Sequence, residues 1–319
     1  MKHTQPRYPV YIISKGRSDS MLTSRSLARM GVHHSIAVEP QDLLAYETAL
    51  DNFGIRPYVT LLELPFSNHG DGPGRARNWC WDHAVELKSG RHWVLDDNIT
   101  DFYRLHKNMR IRVESGICFK IMEDFVDRYE NVPVAGPQYR FFCAADQSYP
   151  PYVKNTRIYS TLLIDNDCKH RWRGRYNEDT DLCLRVLKDG DCTIQFNIFL
   201  QGKAATQTVS GGNTAEFYHA EKTENWQKTD RYNVDGTVNK SKMLEEMHPD
   251  VAKMVWKYGR WHHHVDYTPF KKTKLRYRRS IELGIKKLPE GVNNYGLTLK
   301  KFDNMSQVEE TLKIPPVTT

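Results

Sequence analysis

Short apolar runs alternate with amphipathic segments through the first hundred residues, and this alternation is the feature that most restricts the fold. Each run ends at a glycine, a proline or a polar cluster, as strands do, and the segments between them carry apolar residues at helical spacing. The runs predict four strands, at residues 10–14, 35–39, 59–64 and 92–98. The intervening segments predict three helices, at residues 20–30, 41–53 and about 75–87. Strands that alternate with helices favour an α/β fold with a parallel, doubly wound sheet.

The regular alternation stops after residue 98. Helices are predicted at residues 115–129 and 180–187, where apolar residues recur every three or four positions. Shorter apolar runs predict further strands, at residues 132–135, 139–144, 158–165 and 193–200. We therefore expect a mixed, mainly parallel sheet flanked by helices.

The composition excludes several classes of protein. The 319 residues are 39% hydrophobic and 27% charged, and no apolar stretch approaches the roughly 18 residues that cross a bilayer. Residues 1–9 are polar and lack the apolar segment of a signal peptide, so we expect a cytoplasmic protein. The six cysteines are spaced singly, which indicates reduced thiols rather than a zinc or redox motif.

The run at residues 92–98 ends in Asp96, Asp97 and Asn98. In open α/β sheets, ligands bind in the crevice at the carboxyl ends of the strands. Two adjacent carboxylates repel each other unless a cation or hydrogen-bond donors offset their charge. The triplet therefore predicts a ligand site, and an acidic turn facing solvent is the alternative.

Two loops add groups that suit phosphate. Ser14, Lys15, Gly16 and Arg17 follow the first strand, where glycine lets the backbone approach a ligand closely. A glycine-rich loop at residues 70–74 leads into a helix. This helix starts at about residue 75, directly after Gly74, and carries Arg77 and Asn78 at its head, where backbone N–H groups favour anions. Neither loop matches a P-loop or the dinucleotide-binding glycine pattern.

The order and spacing of these motifs resemble those of the TET-associated glycosyltransferases of phages, which belong to the GT-A-type superfamily. The resemblance covers most of residues 8–270 and rests on residues 10–17, 38–40, 74–78, 93–98, 177–181 and 260–267. It implies a GT-A-like, Rossmann-like fold and transfer of a sugar from a nucleotide donor, most simply a UDP-sugar. The acceptor that it implies is 5-hydroxymethylcytosine in phage DNA.

The resemblance also implies a domain organisation. Residues 1–215 would form the GT-A-like domain, with a nucleotide-sugar half at 8–100 and an acceptor half at 101–215. Residues 216–319 would form a basic, helical C-terminal extension.

The family pattern assigns roles to the motif residues. We expect the donor to contact Ser14, Lys15, Gly16, Arg17, Glu39, Gly74, Arg77, Asn78, Asp96 and Asp97. We expect Mg²⁺ or Mn²⁺ to bind Asp97, Asn98 and His219. An amide at residue 98 replaces the usual third acid and would bind the metal more weakly, because it carries no charge.

Glu178 and Asp179 are the candidates for activation of the acceptor. An inverting transferase needs a carboxylate within hydrogen-bond reach of the attacking hydroxyl, and the family pattern favours Asp179, with Glu178 in reserve. In a retaining enzyme the pair would only orient the acceptor. Helix capping explains the same two acids without any catalytic role.

The net charge of +7 is concentrated near the C-terminus, where residues 271–279 contain no acid. Their cations would suit DNA phosphates, or they form an ordinary solvated face. The cations are Lys271, Lys272, Lys274, Arg276, Arg278 and Arg279.

Other functions remain open on the sequence. A glycosyltransferase that builds surface polysaccharide or modifies protein would share the motifs, although the membrane-seeking segment usual in the first of these is missing. A nucleotidyltransferase would also use acids at a strand end. A non-catalytic DNA-binding protein on a transferase-like fold would explain the missing third acid.

Overall fold

The computed structural model describes residues 4–204, 237–257, 260–281, 290–291, 303–304 and 307. The chain divides into two compact units, Met1–Arg276 and Tyr277–Thr319. The domain boundary expected after residue 215 falls within residues 205–236, outside the described residues. Everything below on the sheet and its cavity concerns the first unit.

A sheet of ten strands lies at the centre of this unit. The strands are β1 (Val10–Ile13), β2 (His34–Val38), β3 (Val59–Glu63), β4 (Arg91–Asp96), β5 (Ile99–His106), β6 (Met109–Arg112), β7 (Val134–Tyr139), β8 (Tyr152–Lys154), β9 (Thr161–Asp165) and β10 (Thr193–Lys203). Their order is β3-β2-β1-β4-β9-β7-β10-β5-β6, and β8 also pairs with β10.

Strand direction confirms the expected fold class. The first four strands in the chain are parallel to one another, as the alternation of strands and helices predicted. Strands β6, β7 and β10 run in the same direction as these four, and β5, β8 and β9 run in the opposite direction. The protein is therefore an α/β protein with a mixed, mainly parallel sheet.

Helices cover both faces of the sheet. They are α1 (Leu22–Arg29), α2 (Leu43–Asn52), α3 (Gly74–Glu86), α4 (Ile117–Val126), α5 (Glu178–Lys188) and α6 (Thr237–Met247). Successive side chains of a strand point to opposite faces, so Trp93 packs against Phe119 of α4, whereas Val94 belongs to the opposite cluster with Trp81 of α3. The uninterrupted apolar run of β4 reflects this burial on both faces.

Helix α6 and a two-stranded hairpin pack beside α5. The hairpin pairs β11 (Ala252–Lys257) with β12 (Arg260–Val265). Leu184 and Leu187 of α5 form a buried cluster with Leu244 and Ala252. Beside this cluster, the fully buried Asp181 accepts hydrogen bonds from cationic and imidazole donors. Those donors are Arg173, Arg185 and His248.

Two expectations about local structure are wrong. Residues 139–144 do not form a strand, because β7 ends at Tyr139 and a 3-10 turn follows at Arg140–Phe142, with the Phe141 side chain in solvent. Strands β5 and β6 were not predicted. They lie at one edge of the sheet, where β5 has only two buried residues and β6 has none, and no continuous apolar run marks them.

The remaining global expectations concern membranes and thiols. None of the described helices is both long and apolar enough to span a bilayer. All six cysteines are free, and five of them are buried.

Candidate active site

A cavity of about 430 Å³ opens at the edge of the sheet where β1, β2, β4 and β7 end. It lies at the position that the sequence predicted for a ligand, at the carboxyl ends of parallel strands. Most of the predicted site residues line it: Ser14, Lys15, Arg17, Glu39, Arg77, Asp96, Asp97, Asn98, Glu178 and Asp179.

Asp96 is the last residue of β4 and pairs with two cations. Arg77 of α3 donates to its Oδ1 atom at 2.6 Å, and Lys203 at the end of β10 donates to its Oδ2 atom at 2.8 Å. Burial alone would raise the pKa of Asp96, but Lys203 and Arg77 outweigh it and hold the pKa well below its usual range. Asp96 is therefore a permanent carboxylate at the floor of the cavity.

Asp97 is bound from the loop after β1. Ser14 Oγ donates to its Oδ2 atom at 2.8 Å, and Arg17 forms an ion pair with its Oδ1 atom. Parallel pairing of Ile13 with Asp96 puts the ends of β1 and β4 side by side, which explains this contact. Burial raises the pKa of Asp97, Arg17 opposes that effect, and the neighbouring Asp96 adds to it.

Asn98 presents an acceptor without a partner. Its Oδ1 atom is buried and accepts no hydrogen bond from any described residue. A buried carbonyl oxygen of this kind is costly unless a donor or a cation faces it. An amide oxygen beside the carboxylate of Asp97 fits a divalent cation, because Mg²⁺ and Mn²⁺ favour oxygen ligands. The described residues, those of this cavity included, contain no group of three or more histidines, cysteines or acids arranged to hold a metal.

Arg77 connects the strand-end residues Asp96, Asp97 and Asn98, which we call the acid triplet, to the acids of α5. Its side chain is only 3% exposed, and its guanidinium lies 3.4 Å from Glu178 as well as 2.6 Å from Asp96. The guanidinium also lies 4.6 Å from the ring centroid of Trp172. Its Nε and Nη1 atoms are buried and donate to no described residue. Arg77 lines the cavity, so its positive charge favours an anionic ligand there.

Glu178 and Asp179 form the first turn of α5, where the helix dipole stabilises negative charge. Asn177 precedes them in the left-handed conformation (φ 50°) and ties this turn to α6 by donating to the Lys240 carbonyl at 2.8 Å. Burial raises the pKa of Glu178 to about 7; Arg77 opposes this effect, and Asp179 reinforces it. The pair thus lies in the first turn of α5 and also lines the cavity, and the start of the helix has no side-chain capping hydrogen bond.

Lys15 and Glu39 form an ion pair of 3.2 Å just after the carboxyl ends of β1 and β2. Glu39 also accepts hydrogen bonds from the backbone of Asn68 and from Gln41. Burial would raise the pKa of Glu39, but these hydrogen bonds and Lys15 lower it. Glu39 is thus a carboxylate at the end of the cavity remote from α5.

Some predicted site residues lie elsewhere. Gly16, Gly74 and Asn78 are not among the residues that line the cavity. The amide of Asn78 exchanges two hydrogen bonds with the backbone of Trp172, at 2.9 and 3.0 Å, and so holds α3 to the loop before α5. Gly16 donates its N–H to Asp42 at 2.8 Å. His219 lies outside the described residues.

The basic segment at residues 271–279 is divided between the two units. Its first part, residues 271–276, contacts the sheet on the side opposite the cavity. Asn131, which precedes β7, donates to the Lys274 carbonyl at 3.0 Å and accepts from the Arg276 N–H at 2.8 Å. Arg276 also pairs with Glu130 at 2.9 Å. The cavity lies where β7 ends, and this segment lies where β7 begins. Arg278 and Arg279 belong to the second unit.

Sequence reasoning missed the cavity wall that Lys203, Tyr139, Tyr159 and Arg157 form. A register shift in the pairing of β10 with β5 falls between Gly202 and Lys203, and a bulge of this kind re-aims a side chain. Lys203 donates to Ser160 Oγ at 2.7 Å as well as to Asp96. No local pattern marks the bulge, although a lysine directly after an apolar strand is a weak signal.

Two tyrosines and an arginine complete that wall. The rings of Tyr139 and Tyr159 are stacked, with centroids 4.8 Å apart and planes 23° apart. The Arg157 guanidinium lies 4.2 Å from the Tyr159 ring centroid and donates to His263 at 3.0 Å. Burial lowers the pKa of His263 to about 3, with the charge of Arg157 as the next cause, so this imidazole is a neutral acceptor.

Comparison with known proteins identifies the family. One solved structure with a similar backbone is the mannosyltransferase PcManGT from Pyrobaculum calidifontis in complex with GDP-Man and Mn2+. It is 10% identical, with a TM-score of 0.44, and the similarity covers 64% of this chain and 59% of that enzyme, less than two thirds of its length. No curated protein sequence matches the chain. Residues 8–212 match the model of the family described as TET-Associated Glycosyltransferase. This match spans well over half of the sequence and includes the acid triplet, Arg77 and the acids of α5, and the chain accordingly belongs to the TET-associated glycosyltransferase family.

Proposed function

We propose that this glycosyltransferase moves a sugar from a UDP-sugar to 5-hydroxymethylcytosine in phage DNA. One observation carries the proposal: a single cavity joins the acid triplet of β4, the acids of α5 and a set of protein cations that includes Arg17, Arg77 and Lys203. Such a site can hold a nucleoside diphosphate at one end and an acceptor hydroxyl at the other.

The cations support the binding of the donor's diphosphate. When the sugar leaves, negative charge develops on the diphosphate, and fixed donors that face this charge lower the barrier. The cations at the floor of the cavity are Arg17, Arg77 and Lys203. The two buried N–H groups of Arg77 that lack a described partner are the best placed, because a phosphate oxygen would satisfy them.

The nucleoside would lie toward Lys15 and Glu39. A carboxylate accepts hydrogen bonds from ribose hydroxyls or from base N–H groups, and the lowered pKa of Glu39 keeps it ionised for this task. The distance of this pair from α5 leaves the other end of the cavity for the sugar and the acceptor.

Asp97 and Asn98 would hold a divalent cation, with His219 as a further ligand in the sequence. Bound there, Mg²⁺ or Mn²⁺ would neutralise charge on the departing diphosphate. The unpartnered oxygen of Asn98 supports this assignment.

Asp179 would act as the base that takes the proton from the acceptor hydroxyl. Its side chain lines the cavity, and its Oδ1 atom is oriented by the N–H of Thr180 at 2.6 Å. Glu178 contacts Arg77 and would position that guanidinium. These roles hold for an inverting reaction; in a retaining one the two acids would orient the acceptor.

The stacked tyrosines support a nucleobase as the acceptor. Aromatic rings are the usual platforms for bases that lie outside a helix stack, and this pair lines the wall near Asp179. A hydroxymethyl group on a base held against Tyr139 or Tyr159 would point toward the acids of α5.

Mass spectrometry of modified DNA tests the proposal. The protein is incubated with hydroxymethylated or plain DNA and a panel of UDP- and GDP-sugars, and the DNA is digested to nucleosides. We expect a hexose or pentose mass on 5-hydroxymethylcytosine only, and with a UDP-sugar. Release of nucleotide without any DNA modification would favour a polysaccharide or protein acceptor, and tight DNA binding without turnover would favour a non-catalytic role.

A further inference from the structure

Two phenylalanines are exposed in the turn after β7. Phe141 is 85% exposed and Phe142 is 50% exposed, although phenylalanine is normally buried in a soluble protein. They follow Tyr139, which is the last residue of the strand and lines the cavity. An exposed aromatic pair at the rim of a site is a feature that binding explains and folding does not.

The two rings extend the tyrosine stack of the cavity wall to the protein surface. The ring centroids of Tyr159 and Tyr139 are 4.8 Å apart, those of Tyr139 and Phe142 are 6.0 Å apart, and those of Phe142 and Phe141 are 5.5 Å apart. These four residues form what we call the aromatic ladder. Its inner end, Tyr139 and Tyr159, lines the cavity, and its outer end, Phe141 and Phe142, is exposed to solvent.

A basic hairpin lies beside the outer end of the ladder. Strands β5 and β6 and their turn contain no acid between residues 102 and 113. Among the described residues, three of their cations have no acidic partner within salt-bridge distance: Arg104, Lys107 and Arg110. The Arg140 guanidinium lies 4.6 Å from the Tyr103 ring centroid, which joins this hairpin to the turn that carries the phenylalanines.

We propose that the basic hairpin and the outer end of the ladder form the DNA-docking surface of this enzyme, and that Phe141 and Phe142 insert into the duplex in place of the acceptor base. This inference rests on the proposed DNA acceptor. Arg104, Lys107 and Arg110 contact the phosphates, and the displaced base stacks on Tyr139 inside the cavity.

The physical reason is access. A hydroxymethyl group on a base stacked inside a duplex cannot enter the cavity to reach Asp179, so the base leaves the helix stack before it reacts. Unstacking a base costs a few kcal/mol, and apolar side chains that enter the gap offset this cost in other DNA-bending proteins. Phosphate contacts from the hairpin supply affinity that does not depend on sequence.

The location distinguishes this surface from residues 271–279. The ladder begins where β7 ends, and Lys274 and Arg276 contact Asn131, which precedes β7. A duplex bound only through that basic segment would lie at the opposite edge of the sheet from the cavity. The two surfaces therefore make different predictions for matched removal of charge.

The ladder is tested with the double variant Phe141→Ala/Phe142→Ala. Its matched control is Leu87→Ala, an exposed apolar residue (59%) at the C-terminal end of α3, away from the cavity. A duplex carries one 5-hydroxymethylcytosine with 2-aminopurine as its neighbour, and the same strand is used alone. When the unaltered protein binds the duplex, the fluorescence of 2-aminopurine should increase, and we expect this increase to be lost in the double variant. Sugar transfer to the duplex should fall about 10-fold or more in that variant, relative to transfer to the single strand. Leu87→Ala should behave as the unaltered protein.

The basic hairpin of β5 and β6 is tested by the salt dependence of DNA binding. Arg104→Ala/Lys107→Ala/Arg110→Ala is compared with Lys271→Ala/Lys272→Ala/Lys274→Ala, which removes the same charge. We expect the first variant to reduce the salt slope by about one for each lost phosphate contact, and the second to leave it close to unchanged.

Four results would overturn the inference. An unchanged 2-aminopurine signal in the double variant rules out the insertion, as does an equal loss of transfer on duplex and single strand. A reduced slope for the second charge variant alone moves the docking surface to residues 271–279. If the unaltered protein binds no DNA and modifies none, the proposed acceptor is wrong as well, and this result is distinct from the other three.

Discussion

Lys203 donates to Asp96 across 2.8 Å and thereby joins the last residue of β10 to the last residue of β4, which are 107 positions apart in the chain. The contact places a cation from a strand late in the chain against the first residue of the acid triplet. It depends on the bulge in β10 and on a sheet order that brings the carboxyl ends of both strands to one edge.

Replacement of Lys203 tests this relationship. Lys203→Met leaves Asp96 with Arg77 as its remaining cationic partner, and loss of a charged hydrogen bond should lower the free energy of unfolding by about 1.5–3 kcal/mol. Affinity for the donor's diphosphate should fall as well. Urea unfolding and calorimetric titration with UDP measure the two effects. Lys203→Arg retains the charge and should recover most of the UDP affinity; equal loss in both variants would show that the exact shape of lysine matters more than its charge.

Asp97→Asn separates donor binding from DNA binding. The amide oxygen of the variant can still accept from Arg17 and its N–H₂ group can donate to Ser14 Oγ, so the fold should persist, while loss of the negative charge should reduce metal-supported sugar transfer by about 100-fold or more. DNA affinity, measured by fluorescence anisotropy, should stay close to that of the unaltered protein. Parallel loss of DNA affinity would indicate a structural role for the acid triplet.

Asp179→Asn should lower kcat by about 10²- to 10⁴-fold, the usual contribution of a general base, and leave the KM for the donor nearly unchanged. Steady-state transfer to hydroxymethylated DNA measures both constants. Glu178→Gln serves as the comparison, because it keeps a polar contact with Arg77. If Glu178→Gln causes the larger fall in kcat, Glu178 is the base and Asp179 is not.

Stability should depend on pH through Glu178. Its pKa is raised from 4.5 to about 7 in the folded protein, so ionisation between these values is less favourable in the folded state than in the unfolded chain. The contribution of Glu178 to stability is therefore largest below pH 4.5 and is lost as the pH rises toward 7, by up to about 3 kcal/mol. Urea unfolding at pH 5 and pH 8 should show a smaller change for Glu178→Gln than for the unaltered protein. The same pH dependence in both proteins would contradict the assignment.

Metal removal tests the role of Asn98. We expect EDTA to suppress sugar transfer and Mn²⁺ or Mg²⁺ to restore it, because the oxygen of Asn98 has no other partner among the described residues. Asn98→Ala should raise the metal concentration for half-maximal activity by roughly 10-fold. Binding of Mn²⁺ itself, measured by electron paramagnetic resonance, should weaken in the same variant. Full activity in EDTA would mean that the protein cations alone stabilise the leaving diphosphate.

Local sequence patterns determined the parallel half of the sheet and one side of the candidate site. Apolar runs and glycine stops predicted β1 to β4 with small errors at their ends, because both faces of these strands are covered and their composition reports that burial. The acid triplet and Arg77 were predicted from their positions at a strand end and a helix start, which the order of the chain alone decides.

Tertiary structure decided the rest. Lys203, Tyr139 and Tyr159 reach the cavity only because β10 and β7 end, and β9 begins, on the same side of the sheet, and no spacing in the sequence records which strands are neighbours. The same order of strands separates residues 271–276 from the cavity and brings the turn at Arg140–Phe142 to Tyr103. Periodicity reports contacts within a helix or strand, whereas contacts between residues a hundred positions apart depend on how the whole sheet is assembled.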